Sequence, residues 1–254
     1  MSSRLLGLAM VWVLLLTGCT AAANAEPASR RSRADNPDDA QAEALGAIER
    51  GTVPDGASYI ARITRLTSVH DAPEGEQIGL LDPTTTNGSA TALAVVGEPD
   101  PDAAWIQVML DQRPNASVGW IWAGDVDITW TTLHIEVDLA ERELRLFDGA
   151  ELIVRGAVGI GKLSTPTPTG TTYVTDILAT PDPDTLYGPF ALGLAMYSDV
   201  VTEYAGGDGQ AAIHGTNSPT LLGLAVSLGC VRVHNDLIRV LAGRVPLGTP
   251  VLIH

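Results

Sequence analysis

The sequence is short of sulfur, of aromatic rings and of positive charge. Two cysteines in 254 residues cannot build a disulfide framework, so this is not a small stapled scaffold. Lys and Arg number 15 against 30 Asp and Glu, a formal net charge of −15. A chain so poor in cations lacks the means to displace counterions from a phosphate backbone, which argues against a nucleic-acid partner. The same deficit argues against electrostatic docking on an anionic membrane. Aromatics make up 5% of the residues, whereas there are 26 Gly and 16 Pro, a composition suited to many turns and short strands. The 45% hydrophobic and 18% charged content can still fill a core, which excludes disorder throughout. At roughly 150 residues per domain, the length allows one or two domains.

One apolar run stands apart. Leu5 to Leu16 follows Arg4, and its twelve residues are too short to cross a bilayer and fit the apolar region of a signal peptide. The run ends in Leu16-Thr17-Gly18-Cys19, which resembles a bacterial lipobox, whose cysteine is diacylated and becomes the new N-terminus. Ordinary secretion, with cleavage near Ala21 to Ala25, is the alternative. The expectation is an exported, cell-envelope protein held by lipid at Cys19 on the outer side of the cytoplasmic membrane. Cys230 is then the one thiol left in an oxidising setting, either a reactive group or an accident.

Residues 20–57 are Ala-, Ser-, Asp-, Pro- and Arg-rich. They read as a flexible tether of roughly 35 Å root-mean-square span, with a short helix possible over Asp39 to Arg50. Between residues 58 and 130, short alternating runs (YIARITRL, QIGLL, TALAVV, AWIQVML, VGWIW) are separated by turn clusters, which predicts a small all-β unit. The order of its strands and its W-I-Q-V and G-W-I segments resembles a bacterial SH3-like domain, a module that often accompanies peptidoglycan enzymes. Trp120 and Trp122 share a strand face and are expected to pack in its core and rim rather than stack on a ligand.

A second β-rich unit covers residues 132–254. LHIEVDL, RELRLF, ELIVRGAVGIG, GTTYVTDIL, AAIH and GTPVLIH read as strands. HNDLIRVLAG reads as a helix from His234 to about Gly243, capped by Asn235 or Asp236 and stopped by Gly243.

The chemistry concentrates in His214-Gly215-Thr216-Asn217 and Ser227-Leu228-Gly229-Cys230-Val231-Arg232. A cysteine attacks carbon only as thiolate, so it needs a base or a positive charge beside it. His214 supplies the base if the fold brings the two together, and Gly229 lets backbone N–H groups face a developing oxyanion. These residues alone point to a thiol-dependent acyl transferase or hydrolase. A zinc site from His214, Cys230 and His234 lacks a fourth ligand. GAVGIG has neither P-loop nor Rossmann spacing. No metal and no cofactor is expected.

His214-Gly-Thr followed sixteen residues later by Cys230 in a Ser-x-Gly-Cys-Val-Arg frame, with an upstream TPTPTG loop, resembles the L,D-transpeptidase family. The fold implied is a mainly β chain, a small SH3-like β-barrel followed by a β-sandwich with one or two short helices. The resemblance also implies roles. Cys230 is the nucleophile and His214 the general acid/base, with the Gly215 carbonyl orienting the imidazole. The N–H groups of Gly229 and Cys230, with Leu228 as a further candidate, form the oxyanion hole. Arg232 either binds a stem carboxylate or pairs with a loop acid. Ser227, Thr216 and Asn217 support the loop. Tyr173 and Tyr197 either pack or line the cleft, with packing preferred. Where the family often has His before the Gly, this chain has Leu228. The implied reaction cleaves the bond before the fourth-position D-Ala of a peptidoglycan stem and passes the acyl group to a second stem, giving a 3→3 cross-link. The implied partners are donor and acceptor stem peptides, with the protein a monomer. An L,D-carboxypeptidase using the same pair, or a non-catalytic wall-binding lipoprotein, are the alternatives.

Overall fold

The structure is a computed structural model that describes residues 53–204 and 206–254. The leader with Cys19, most of the tether and the candidate helix at 39–50 lie outside the described residues. The fold is mainly β with one α-helix.

Seven strands come first: β1 (Ser58–Ile63), β2 (Thr67–His70), β3 (Gln77–Leu81), β4 (Ala92–Ala94), β5 (Trp105–Met109), β6 (Val118–Trp122) and β7 (Val126–Thr131). They form two small sheets, in the orders β4-β1-β7 and β3-β2-β6-β5. Alternation sends Ile106 and Val108 of β5 and Ile121 of β6 inward, because successive strand side chains point to opposite faces. They meet Ala61, Ile63, Val69 and Leu93 in one core. The tryptophans fall on the opposite face. Trp122 is 47% exposed, and Trp105 meets it edge-on at 5.5 Å while also meeting His70 at 4.9 Å. Of the expected core and rim packing, the rim is what Trp122 takes: Gly119 and Ile121 hold the inward positions on β6, so the indoles one residue away face out.

The remaining strands are β8 (Leu133–Asp138), β9 (Glu143–Asp148), β10 (Glu151–Ala157), β11 (Ile160–Gly161), β12 (Gly170–Ala179), β13 (Phe190–Tyr197), β14 (Gln210–His214), β15 (Ala225–Ser227), β16 (Val231–Arg232) and β17 (Pro250–Ile253). Eight of them form a sheet ordered β10-β9-β8-β17-β12-β13-β14-β16, while β11 and β15 pair separately. Helix α1 (Asn235–Arg244) covers this sheet, burying Leu237, Ile238 and Leu241 against Val137, Leu144, Leu192, Leu194, Ile213 and Val251. Leu241→Ala, at a fully buried position, is expected to cost about 2–5 kcal/mol in urea unfolding.

The start and stop of α1 differ from expectation. His234 is the N-cap, its side chain accepting from the Asp236 N–H, and the C-cap is Val245. Gly243 sits inside the last turn, and Pro246 following Val245 ends the helix, since proline cannot continue it. Asn235 is freed from capping and acts elsewhere.

β12 and β13 are apolar on both faces. Val174, Leu192 and Leu194 enter the large core, while Tyr173 and Ala195 enter the core of the first seven strands. A strand buried on both sides reads as a near-continuous hydrophobic run, which is why FALGLAMY lacks alternation. Side-chain ties reinforce this contact. Asn115 donates to the Tyr197 carbonyl and accepts from its N–H, both at 2.8 Å. Asp176, 2% exposed, accepts from Thr85 at 2.7 Å and Asn87 at 3.3 Å.

Candidate active site

β14 ends at His214, and the short β16 pairs with it in parallel, Ile213 with Val231 and His214 with Arg232. This register carries Cys230, the residue before β16, to the same end of the sheet as the imidazole. His214, Cys230 and Arg232 line one cavity of about 300 Å³. Two segments sixteen residues apart in the chain are thereby brought together.

The turn holding the thiol is fixed from within. Ser227, 1% exposed, donates its hydroxyl to the Cys230 carbonyl at 2.6 Å and accepts the Gly229 N–H at 3.1 Å. Gly229 has φ of +127°, a conformation that favours glycine. Because its N–H is engaged by Ser227, Gly229 does not present a free oxyanion donor, which corrects that expectation. The TPTPTG loop braces the turn from behind: Thr165 donates to the Ser227 carbonyl at 3.1 Å, and Thr167 accepts the Gly161 N–H at 2.9 Å.

His214 is 2% exposed, and its Nδ1 lies 2.7 Å from the Gly215 carbonyl. A carbonyl can only accept, so Nδ1 carries the proton and Nε2 is left with its lone pair. Burial pushes the imidazole down to about 4, with the Arg232 charge acting the same way and the Gly215 bond opposing. Burial pushes the Cys230 thiol up, against an Ala212 backbone hydrogen bond and the Arg232 charge. The resting pair is therefore neutral thiol and neutral imidazole.

Asn235 carries a role the sequence did not reveal. Its Oδ1 accepts the Thr216 N–H at 2.8 Å, holding the chain just past the histidine. The close approach of Gly188 and Gly215 makes room for it, since a Cβ on either would fall 2.4 Å from that oxygen. Thr216, 3% exposed, accepts the Ser218 N–H at 3.0 Å. The exposed Asn217 donates to the Asp184 carbonyl at 3.2 Å. Asn235→Ala strands a buried N–H. Its expected effect is about a tenfold fall in turnover with a loss of about 1–3 kcal/mol in unfolding, which paired kinetic and urea measurements would check.

Tyr187 was also missed. Its ring lies 4.8 Å from that of His214 and it is 38% exposed, roofing the imidazole from the loop at 180–189. No periodicity marks that Pro- and Asp-rich loop, so only the fold reveals it. Tyr173 and Tyr197 do not line the catalytic cavity; they pack between the two cores and face a neighbouring cavity. Leu228, 40% exposed, stands at the rim of the catalytic cavity. The Arg232 Nε is buried with no hydrogen-bond partner among the described residues, so no loop acid claims it. His234 is occupied as the helix cap, not beside Cys230.

The family model for the L,D-transpeptidase catalytic domain (YkuD) matches residues 132–253. The YkuD L,D-transpeptidase of Bacillus licheniformis is 32% identical over 154 residues, covering 58% of this chain and 85% of that protein. The chain belongs to the L,D-transpeptidase family. YkuD of Bacillus subtilis is 35% identical over 121 residues, 48% of this chain and 65% of its own length. Among solved structures, Bd1075 of Bdellovibrio bacteriovorus is 30% identical, covers 49% of this chain and 48% of its own, and superposes with a TM-score of 0.38. The matched segment begins one residue before β8, and His214 and Cys230, on the two sides of the cavity, both fall inside it.

Proposed function

We propose that this L,D-transpeptidase forms 3→3 cross-links through a Cys230 thioester. The observation that carries the reading is the fixed tautomer of His214: with Nδ1–H held on the Gly215 carbonyl, Nε2 is the basic atom in the cavity it shares with Cys230. The thiol proton passes to Nε2 as sulfur attacks the carbonyl preceding D-Ala. The oxyanion gathers on the Cys230 N–H, which no described group engages. The imidazolium then gives its proton to the departing D-Ala amine, leaving the thioester. An amine on the third residue of a second stem attacks, loses its proton to Nε2, and the new amide forms as the thiol is restored. The thioester conserves the free energy of the broken amide, so no nucleotide is consumed. Gly215 is a positioning residue, Arg232 takes a stem carboxylate through its unpartnered guanidinium, and Ser227, Thr216 and Asn217 hold the loops.

Export and lipidation at Cys19, a tether over residues 20–57, and an SH3-like unit over 58–130 complete the proposal. They would place a monomeric catalytic domain above the membrane and close to its polymer.

Incubating the protein with a disaccharide-tetrapeptide and reading the products by mass spectrometry tests the reading. A dimer short of one D-Ala is the expected product. Tripeptide monomer alone would mean that water replaces the acceptor, making the protein an L,D-carboxypeptidase. No change in any stem would favour the wall-binding lipoprotein. A carbapenem-type β-lactam is expected to add its mass to the protein on Cys230; an unmodified intact mass after prolonged incubation would count against the nucleophile.

A further inference from the structure

The connection from β13 to β14 forms one wall of the catalytic cavity: Val201, Tyr204 and Asp208 line the same space as His214 and Cys230. Its base is closed by the Ser198 N–H, which donates to the Gly209 carbonyl at 3.0 Å. Near its tip, Tyr204 and Gly207 each donate an N–H to the other's carbonyl at 2.9 Å. Gly209 has φ of +82°, and a Cβ there would fall 1.8 Å from the Val201 carbonyl oxygen, so the two limbs cross where glycine is needed. Tyr204, 46% exposed, is the largest side chain this wall presents. None of the wall's described residues belongs to either hydrophobic core, so polar ties decide where it stands.

The strongest of those ties come from the first unit. Arg113, in the loop between β5 and β6, donates from its Nη2 to the Ser198 carbonyl at 3.0 Å and to the Asp208 carbonyl at 2.8 Å. One side chain thus bridges both limbs of the wall. Its guanidinium lies 4.7 Å from the centre of the Tyr197 ring, a cation–π contact that seats it over the end of β13. The Tyr197 hydroxyl in turn donates to Asp111 at 2.9 Å. The Asp111 carboxyl is pushed up to about 6, first by burial and further by Asp176 and Asp208, against this hydrogen bond. A second loop of the first unit reaches the cavity itself: Asn87, between β3 and β4, lines it and donates to Asp176 at 3.3 Å. All these residues of the first unit precede residue 132, where the family match begins. The catalytic pair is held by other contacts. Ser227 fixes the Cys230 turn, and the Gly215 carbonyl and Asn235 fix His214 and the chain after it.

We infer that Arg113 is a positioning residue of the substrate site: by bridging Ser198 and Asp208 it holds the wall that carries Tyr204, so the first unit sets affinity for the peptide while residues 132–254 supply the chemistry. The inference rests on the proposed stem-peptide substrate. A wall already in place spares the peptide the cost of ordering it on binding. Its loss therefore falls on KM, because the reacting groups keep their own supports.

The test reads binding and turnover in the full chain. With Cys230→Ala, a disaccharide-tetrapeptide titrated by calorimetry is expected to bind about fivefold more weakly once Arg113→Ala is added, the effect of losing two hydrogen bonds at an exposed site. In the Cys230 protein the same change should raise KM for D-Ala release by a similar factor and leave kcat within about twofold. Arg113 is exposed, so its truncation opens no void and the variant is expected to fold. Tyr204→Ala removes the ring that the wall presents. If Arg113 acts through the wall, Arg113→Ala should weaken binding much less in the Tyr204→Ala background than alone. Additive losses would mean that the guanidinium meets the peptide itself, and would overturn the inference. Unchanged affinity, a fall in kcat at constant KM, or no binding of the tetrapeptide by the Cys230→Ala chain would overturn it too. If the tetrapeptide binds and weakens as expected but the unmodified protein releases no D-Ala, the transpeptidase reading falls while the positioning role stands.

Discussion

Cys230→Ala is expected to release no D-Ala above the uncatalysed rate, a fall of at least about 10⁴-fold, since removing a covalent nucleophile removes the step on which the rest of the machinery acts. The fold should be indifferent to the change. The turn around Cys230 is held by the Ser227 hydroxyl on the Cys230 carbonyl and by the Gly229 N–H, neither of which involves sulfur. The thiol also sits in the wall of a cavity rather than in the packed core, so its loss opens no enclosed void. Melting within about 2 °C of the parent is the expected control. Retention on insoluble peptidoglycan should be unchanged if binding belongs to other parts of the chain. Residual turnover in the variant would place the nucleophile elsewhere. Retention lost together with turnover would mean that the cavity holding the thiol is itself the wall-binding surface.

The chemistry of the site was more legible in the sequence than its support. Cysteine and histidine announce themselves by residue type, and the glycines beside them by the backbone freedom that such turns require. What the sequence withheld were contacts made across the fold. Asn235 reads locally as a helix cap because Asn favours that position; its side chain instead crosses to Thr216, a contact nineteen residues away that no local pattern encodes. Tyr187 lies in a loop without periodicity and reaches His214 only because the close approach of Gly188 and Gly215 fixes that loop. The strands of the first unit followed from alternation, but alternation does not say which face is inward. Trp120 and Trp122 are expected in core and rim; Ile121 between them holds the interior, and Trp122 stands at the rim, 47% exposed. β13 carried no alternation at all, because it serves two cores.

His214→Gln is expected to lower turnover by about 10²–10⁴-fold, the range for losing a positioned general base, and to alter the pH dependence of stability in a defined direction. His214 ordinarily titrates near 6.5, and in the fold burial holds it at about 4. As pH falls from 6.5, the unfolded chain takes up a proton that the native imidazole refuses, so stability is lost through that window and the loss levels off once the native imidazole also charges, near pH 4. At 1.36 kcal/mol per pH unit the total is about 3 kcal/mol. Asp111, raised to about 6, works in the opposite sense, because its native carboxyl binds a proton before the unfolded one does. The His214 share is therefore read as the difference between parent and His214→Gln in urea unfolding at pH 7, 5.5 and 4. Above pH 6.5 the two should differ by a constant; below it the parent should lose stability faster. Activity follows the same group. With a neutral imidazole and a neutral thiol at rest, kcat/KM should hold as pH falls and fail only near 4, because that is where Nε2 becomes protonated. An acid limb near 6.5 would instead mean that burial does not hold the imidazole below its ordinary value, and a preformed thiolate–imidazolium pair would show itself by an alkaline limb as the imidazolium loses its proton.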